Sequence, residues 1–407
     1  MEYGCIGEHL SHSFSKEIHN KVASYSYELC PVDMEKLDEF MTKRDFKAIN
    51  VTIPYKQAVI PYLHYIDNTA RKIGAVNTVV NKNGQLYGYN TDFAGMSALA
   101  EKIGIDFQGK KVLILGTGGT SKTASAVAHS KGAREIITVS RSHGVTYEDA
   151  KQLHRDAEII INTTPCGMYP DNDSSPIDLD DYPHVEAVLD AVYNPLVTKL
   201  VRSAKKRGIK AECGLYMLVA QAVFASEHFT GDTYDRAVID RVYREILTSK
   251  QNVVLTGMPG SGKTTVGRLL AEMTGRPFVD TDALITEKHG EITEIFKRHG
   301  ENIFRDMESE TVKEASRVCG CVIATGGGAV LREENVDALK SNGRIFFLDR
   351  PVEELIPTDD RPLASSVDAI KKRYNERLDI YTSTADVTVR IDCPPDEVAQ
   401  RILKEIN

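Results

Sequence analysis

The sequence has no C-x-x-C pair, no apolar stretch near the ~20 residues that span a bilayer, and no excess of positive charge. Its seven cysteines, Cys5, Cys30, Cys166, Cys213, Cys319, Cys321 and Cys393, are odd in number. Neither a disulfide framework nor a zinc site is suggested, and a reducing cytoplasm is expected. The opening Met1-Glu2-Tyr3-Gly4 has neither a basic nor an apolar leader region, so no signal peptide is read. Lys+Arg is 50 against 58 Asp+Glu, a formal net charge of -8. Broad nucleic-acid binding needs a basic footprint that this chain lacks, although pockets on an acidic protein can be locally basic. Internal repeats and low-complexity segments are also missing. What is present is ordinary globular composition, 42% hydrophobic and 27% charged over 407 residues. At ~150 residues per domain that length predicts two or three domains.

Short apolar runs alternate with longer helical patterns, which predicts α/β folding with parallel strands. Strands are expected at 48–53, 78–80, 111–115, 136–139, 158–161, 185–192 and 253–256. Cys319 and Cys321 are both expected in a strand entering a core. A charged amphipathic helix pattern at 234–248 precedes Ser249-Lys250-Gln251-Asn252, where the pattern resets to strand and the main boundary is placed.

The strand 111–115 runs directly into Gly116-x-Gly118-x-x-Ser121 and a helix predicted over 122–129. This approximates the G-x-G-x-x-G/A dinucleotide fingerprint, in which glycines let backbone approach a pyrophosphate at a helix N-terminus. An ordinary tight turn would look similar. The next strand ends Ser140-Arg141-Ser142, without the acid that would hold the ribose hydroxyls of NAD. Arginine there suits a 2′-phosphate and favours NADP, though Arg141 alone reads equally as a solvated loop residue.

Gly257-Met258-Pro259-Gly260-Ser261-Gly262-Lys263-Thr264 fits G-x-x-x-x-G-K-[ST] in full, between a strand and a helix predicted over 266–273. Its backbone N–H groups are expected to cradle the phosphates of ATP, Lys263 to reach the outer phosphates, and Thr264 to ligate Mg²⁺. Asp280 and Asp282 stand one residue apart at the next strand end. They can divide labour between metal-bound water and an acceptor hydroxyl, or serve as capping residues. Arg305 reads otherwise as a surface salt bridge. Gly326-Gly327-Gly328 after a buried strand lets a ligand lie against backbone, or makes a flexible turn.

Taken together these residues resemble known families. The N-terminal part resembles shikimate dehydrogenase through Ser13-Phe14-Ser15, Asn50-Val51-Thr52-Ile53-Pro54-Tyr55-Lys56, Gly74-Ala75-Val76-Asn77-Thr78, Gly88-Tyr89-Asn90-Thr91-Asp92, Asn162-Thr163-Thr164-Pro165-x-Gly167-Met168 and 214–221. The C-terminal part resembles shikimate kinase through the glycine-lysine loop, Asp280-x-Asp282, Phe304-Arg305, Gly326-Gly327-Gly328, Arg361-Pro362-Leu363 and Arg377 followed by Tyr381. The resemblance implies a dehydrogenase–kinase fusion reducing 3-dehydroshikimate with NADPH and phosphorylating shikimate with ATP and Mg²⁺. It implies a shikimate-binding domain at 1–93 completed by helices at about 214–248, a Rossmann-like NADP domain at 94–213, and a P-loop domain with a central parallel sheet at 251–407. The partners are small molecules, without nucleic acid or membrane, in a monomer or homodimer.

By the same resemblance, Ser13 and Ser15 hold the substrate carboxylate, Thr52, Asn77 and Gln221 bind ring hydroxyls, and Lys56 with Asp92 forms the catalytic pair. Gly116, Gly118, Gly119, Thr120, Ser140 and Arg141 take NADP, and Gly260, Gly262, Lys263, Thr264 and Thr265 take ATP. Arg305 and Arg377 meet the shikimate carboxylate, and Gly327 and Gly328 line that site. Asp282 holds ring hydroxyls and helps activate the attacking oxygen. Asp280 acts with Thr264 on Mg²⁺, and Arg361 swings in on a lid to the transferring phosphoryl group. Outside these motifs Lys56 would be a surface lysine. Three departures stand out: the segment 141–157 is short and a second basic residue soon after Arg141 is missing, which implies a 2′-phosphate contact weaker or shared with Lys122; Ser140-Arg141-Ser142 replaces a usual Asn-Arg-Thr; and the stretch 356–360 is short and lacks the arginine often found just before it. A quinate-type dehydrogenase using NAD, fused to another metabolite kinase, is opposed by the missing acid and by Arg305 with Arg377. A non-catalytic sensor is opposed by the presence of Lys56, Asp92, Lys263 and Asp282.

Overall fold

The computed structural model describes residues 1–8, 10, 13–355 and 367–406. The chain forms two compact units, Met1–Ile246 and Leu247–Asn407.

The first unit holds two sheets. Strands β1 (Tyr3–Gly7), β2 (Tyr27–Pro31), β3 (Ala48–Val51), β4 (Tyr65–Ile66), β5 (Thr78–Lys82) and β6 (Gln85–Tyr89) pair in the order β2-β1-β3-β5-β6-β4. This sheet is mixed: β5 runs antiparallel to both β3 and β6, and a short turn at Asn83-Gly84 reverses the chain between β5 and β6. Asn83 and Gly84 both take positive φ there, which two-residue hairpin turns require. Ile6, Ile49, Val51, Val79 and Leu86 bury one face, and Cys5, Tyr27, Ala48 and Val80 meet Ala225 and Phe229 on the other. Those last two side chains belong to the helix Leu215–Thr230, which also packs on the helix Thr91–Lys102. A Cβ on Gly95 would sit 2.7 Å from the Met217 carbonyl oxygen, so the two helices meet backbone to backbone only because residue 95 is glycine.

Strands β7 (Lys111–Leu115), β8 (Glu135–Ser140), β9 (Val145–Thr146), β10 (Ile159–Asn162), β11 (Ala187–Asp190) and β12 (Lys210–Cys213) form an all-parallel sheet, β12-β11-β10-β7-β8-β9. This is the doubly wound dinucleotide-binding order, with its switch point between β7 and β10. The strand cores are continuous apolar runs because both faces are covered.

The second unit carries β13 (Asn252–Thr256), β14 (Phe278–Asp280), β15 (Val322–Ala324), β16 (Gly343–Asp349) and β17 (Val387–Arg390), parallel in the order β14-β15-β13-β16-β17. Its central strand β13 feeds the glycine-lysine loop. The helix Ile292–Arg317 is broken at Gly300, whose φ of 80° and ψ of 174° are open to glycine alone.

Several expectations shift in detail. The strand expected over 48–53 ends at Val51, where the chain turns toward Lys56. The helices expected at 122–129 and 266–273 begin earlier, at Gly119 and Lys263, because each glycine turn leads directly into its helix. Asp282 lies in the first turn of the helix Thr281–His289, and only Asp280 is a strand residue. Cys319 and Cys321 precede β15 instead of lying within it.

Candidate active sites

The turn after β3 carries Lys56. Tyr55 is fully buried and its hydroxyl donates to the Val32 carbonyl, which anchors the turn. Lys56 Nζ donates to Asp92 Oδ2 at 2.7 Å, with side chains 13% and 9% exposed. Asp92 sits in the first turn of its helix, where the dipole favours an anion. Asn90 caps that helix through the Phe93 N–H and ties it to the Ala75 carbonyl. Asn77 Oδ1 accepts the Thr91 N–H at 2.7 Å, and its Nδ2 reaches Thr91 Oγ1 at 3.0 Å and Gln221 Oε1 at 3.4 Å. Ser13 Oγ donates to Ser15 Oγ at 3.0 Å. The Thr52 methyl packs over Gly7, where a Cβ would come within 2.5 Å of it.

The pairs surround one place. Burial pushes the Cys5 thiol up to about 12, with the charges of Lys56 and Asp92 both acting on it. The same thiol acts on Tyr193, whose phenol burial raises to about 12 against the influence of Ser13, and whose ring lies 5.2 Å from that of Phe14. Tyr193 follows β11 in the other sheet, so the two lobes of the unit share this pocket. Sequence reading missed Tyr193, because nothing local marks a tyrosine after a strand as reaching Ser13.

The fingerprint turn faces the same pocket. Gly116 adopts φ 107°, and a Cβ there would lie 2.8 Å from Thr163 Oγ1, at the switch point. A Cβ on Gly119 would lie 3.4 Å from Lys56 Cδ, which brings the turn against Lys56. Gly118 precedes the helix, Thr120 is half-buried in its first turn, and Ser121 is buried, which explains a small residue at that position. Ser140 Oγ accepts the His143 N–H at 2.7 Å and donates to the His143 carbonyl, so Ser140 shapes the turn that leaves Arg141 exposed. Lys122 donates to Gln57 Oε1 at 3.2 Å, which directs it to the turn after β3.

Behind the switch point lies a second unforeseen network. Asp190 ends β11, fully buried, accepting from Asn162 Nδ2 at 2.9 Å, Thr198 Oγ1 at 2.8 Å and the Val192 N–H at 3.0 Å. Burial raises its pKa from 3.8 to about 7 against the pull of those donors. Asn162 Oδ1 in turn accepts Thr164 N–H and Oγ1, which holds the Asn162-Thr163-Thr164 turn.

In the second unit, Gly257, Gly260 and Gly262 have φ of 142°, 83° and 92°, the left-handed geometry that turns successive N–H groups inward. Lys263 Nζ donates to the Gly257 and Met258 carbonyls at 2.9 Å each. Thr264 Oγ1 donates to Asp280 Oδ2 at 2.8 Å, and Asp280 Oδ1 caps the next helix through the Asp282 N–H at 3.1 Å. Thr265 is exposed beside Thr264. Thus Asp280 has both a capping and a loop-facing oxygen.

Arg305 is 8% exposed and forms no mere surface bridge. Its Nη1 donates to Glu308 Oε2 at 2.7 Å and its Nη2 to Glu301 Oε1 at 3.0 Å. Burial works against the Arg305 charge, yet Glu308 and Glu301 hold its pKa above the ordinary value. Burial pushes Glu308 above the usual carboxylate range, with Arg305 opposing. Glu308 was not foreseen, since its role depends on burial. A Cβ on Gly326 would lie 2.5 Å from Asp282 Oδ1 and 2.7 Å from Glu308 Oε1, and one on Gly328 would overlap the Arg305 guanidinium. The Gly327 carbonyl accepts Arg377 Nη1 at 3.1 Å and the Tyr381 hydroxyl. The three glycines therefore gather Asp282, Arg305 and Arg377. Arg361 lies outside the described residues.

Residues 259–407 match the family described as shikimate kinase, and residues 5–79 match the shikimate dehydrogenase substrate binding domain. A shikimate dehydrogenase (NADP(+)) of Clostridium perfringens is 37% identical over 265 residues, 60% of this chain and 97% of that protein. Among solved structures, shikimate dehydrogenase 1 from Peptoclostridium difficile has a TM-score of 0.57 at 33% identity, covering 60% of this chain and 98% of its own. A Thermus thermophilus shikimate 5-dehydrogenase in complex with NADP(H) and shikimate has a TM-score of 0.54 at 29% identity, covering 60% and 99%.

Proposed function

We propose, for a chain that belongs to the shikimate dehydrogenase family and carries a shikimate kinase segment behind it, two successive reactions. The first unit reduces 3-dehydroshikimate to shikimate with NADPH, and the second phosphorylates shikimate at its 3-hydroxyl with ATP. The oxygen formed by reduction is the oxygen phosphorylated next. Within the first unit, the sheet β1–β6 with the helices after Gly214 forms the substrate domain, and the sheet β7–β12 the NADP domain. The absence of any disulfide among the described residues suits a cytoplasmic enzyme.

The observation that carries the reading is the Lys56–Asp92 pair set against Gly119. Bound at the glycine turn, the dinucleotide supplies hydride to the substrate carbon. Lys56 and Asp92, coupled at 2.7 Å, then act as one unit on the carbonyl oxygen: the ammonium stabilises its developing charge and the pair supplies its proton. Ser13, Ser15 and Tyr193 orient the carboxylate. Thr52, Gln221 and the Asn77 amide meet the ring hydroxyls. Arg141 takes the 2′-phosphate.

In the second unit, Asp282 orients the attacking hydroxyl and takes up its proton, and Arg305 with Arg377 holds the carboxylate. Lys263 meets the outer phosphates, and Arg361 closes over the transferred group. The Thr264 hydroxyl and the Asp280 carboxylate are oxygen donors at the loop mouth, a set suited to Mg²⁺. Magnesium supplies charge neutralisation on the phosphates.

Purified protein incubated with 3-dehydroshikimate, NADPH, ATP and Mg²⁺ is expected to form shikimate 3-phosphate, with NADPH and ATP each consumed once per product. Accumulation of shikimate without phosphate transfer, or use of NADH at equal efficiency, would contradict the assignment.

A further inference from the structure

Arg305 already carries two carboxylates. Glu308 is deeply buried, with a side chain 1% exposed, and it sits below the guanidinium where it neutralises the charge. Glu301 differs in every respect. Its side chain is 49% exposed, and it follows Gly300, where the helix is broken. It takes the Nη2 edge of Arg305 at 3.0 Å while Glu308 takes Nη1 at 2.7 Å.

A planar guanidinium recognises a carboxylate best through two parallel N–H donors. Glu308 takes one N–H of Nη1 and Glu301 one N–H of Nη2, so an incoming carboxylate that seeks two parallel donors competes with Glu301 for the Nη2 side. Three carboxylates around one guanidinium would also repel one another. One must leave, and Glu301 is the solvated one, so its release costs least. Glu301 and Arg305 both act electrostatically on Arg373, which lies one helical turn ahead of Arg377.

We propose that Glu301 is an internal competitor for the acceptor carboxylate, occupying the Nη2 edge of Arg305 until an anionic acceptor displaces it. This inference rests on the reading of the second unit as a kinase for shikimate. The contact then sets acceptor affinity and selects for acceptors whose carboxylate can outbid it. Neutral polyols, which cannot displace Glu301, meet an arginine already satisfied.

The test is steady-state kinase kinetics on the full chain for wild type, Glu301→Gln and Glu301→Ala, with shikimate and with its uncharged carboxamide. An exposed ion pair sets the scale, so both variants are expected to lower the KM for shikimate about two- to fivefold. The kcat and the KM for ATP should stay within twofold, and the KM for the carboxamide should not fall. Unchanged or raised KM for shikimate in both variants overturns the inference, because Glu301 would then merely orient Arg305. An equal gain for the carboxamide overturns it too, since the effect would not be at the carboxylate. Wild-type protein that does not phosphorylate shikimate removes the kinase reading itself, and this inference with it.

Discussion

Lys56 Nζ lies 2.7 Å from Asp92 Oδ2, although the first sits on a turn after a strand and the second in the opening turn of a helix. The pair is nearly enclosed, and on the proposed reading it handles the proton as one unit. Lys56→Met and Asp92→Asn are each expected to lower kcat for reduction by about 10²–10⁴, the range for general acid–base groups. The double variant should lose little more than either single one, because a unit is already broken by one change. Additive losses in kcat would show that the two residues act separately.

Gly328 is pressed against the Arg305 guanidinium. Gly328→Ala should displace that arginine and raise the shikimate KM of the kinase at least tenfold. The reduction rate, measured by NADPH absorbance in the same preparation, should be unchanged. A kinase KM within twofold of wild type would mean that Arg305 is not the carboxylate anchor.

Arg141 is exposed beyond β8, on a turn shaped by Ser140. A charge-assisted contact is worth about 1.5–3 kcal/mol. Arg141→Ala should therefore raise the KM for NADPH at least tenfold and leave that for NADH nearly unaltered. Parallel rises for both cofactors would place the arginine elsewhere.

His19 is fully buried, stacked on Tyr27 at 3.9 Å, and burial lowers its pKa to about 3 from 6.5. The folded state prefers the neutral ring. Its contribution to stability is present above pH 6.5 and is lost as pH falls toward 3, by about 5 kcal/mol in all. His19→Phe keeps the stack, and Tyr25 keeps its bond to Ser226. Dehydrogenase activity remaining after incubation at pH 4.5 should thus survive better in the variant than in wild type. Equal losses would assign acid sensitivity to other groups.

What the sequence disclosed was chiefly local. The strands β7 and β13 have apolar centres and lead directly into glycine, so both glycine turns were readable without a fold. The first site was marked by the family resemblance of the motifs that carry Asn50, Lys56, Asn77 and Asp92, and burial then removed the surface alternatives for Lys56 and Arg305. Tyr193, Glu308 and Asp190 escaped notice because each gains meaning only from tertiary partners: Ser13, Arg305 and Thr198. The mixed direction of the sheet β1–β6 was hidden for a similar reason. Apolar patterning reports burial, while strand direction depends on the hairpin at Asn83-Gly84. Asp282 was placed at a strand end because alternation does not reveal that Asp280 caps a helix.

The central claim is that two independent sites act on one small cyclic acid. It is tested most directly by following NADPH oxidation with 3-dehydroshikimate, and ADP release with shikimate, in wild type, Lys56→Ala and Lys263→Ala. Each substitution is expected to silence one channel and spare the other. Loss of both channels from either single change would contradict the account.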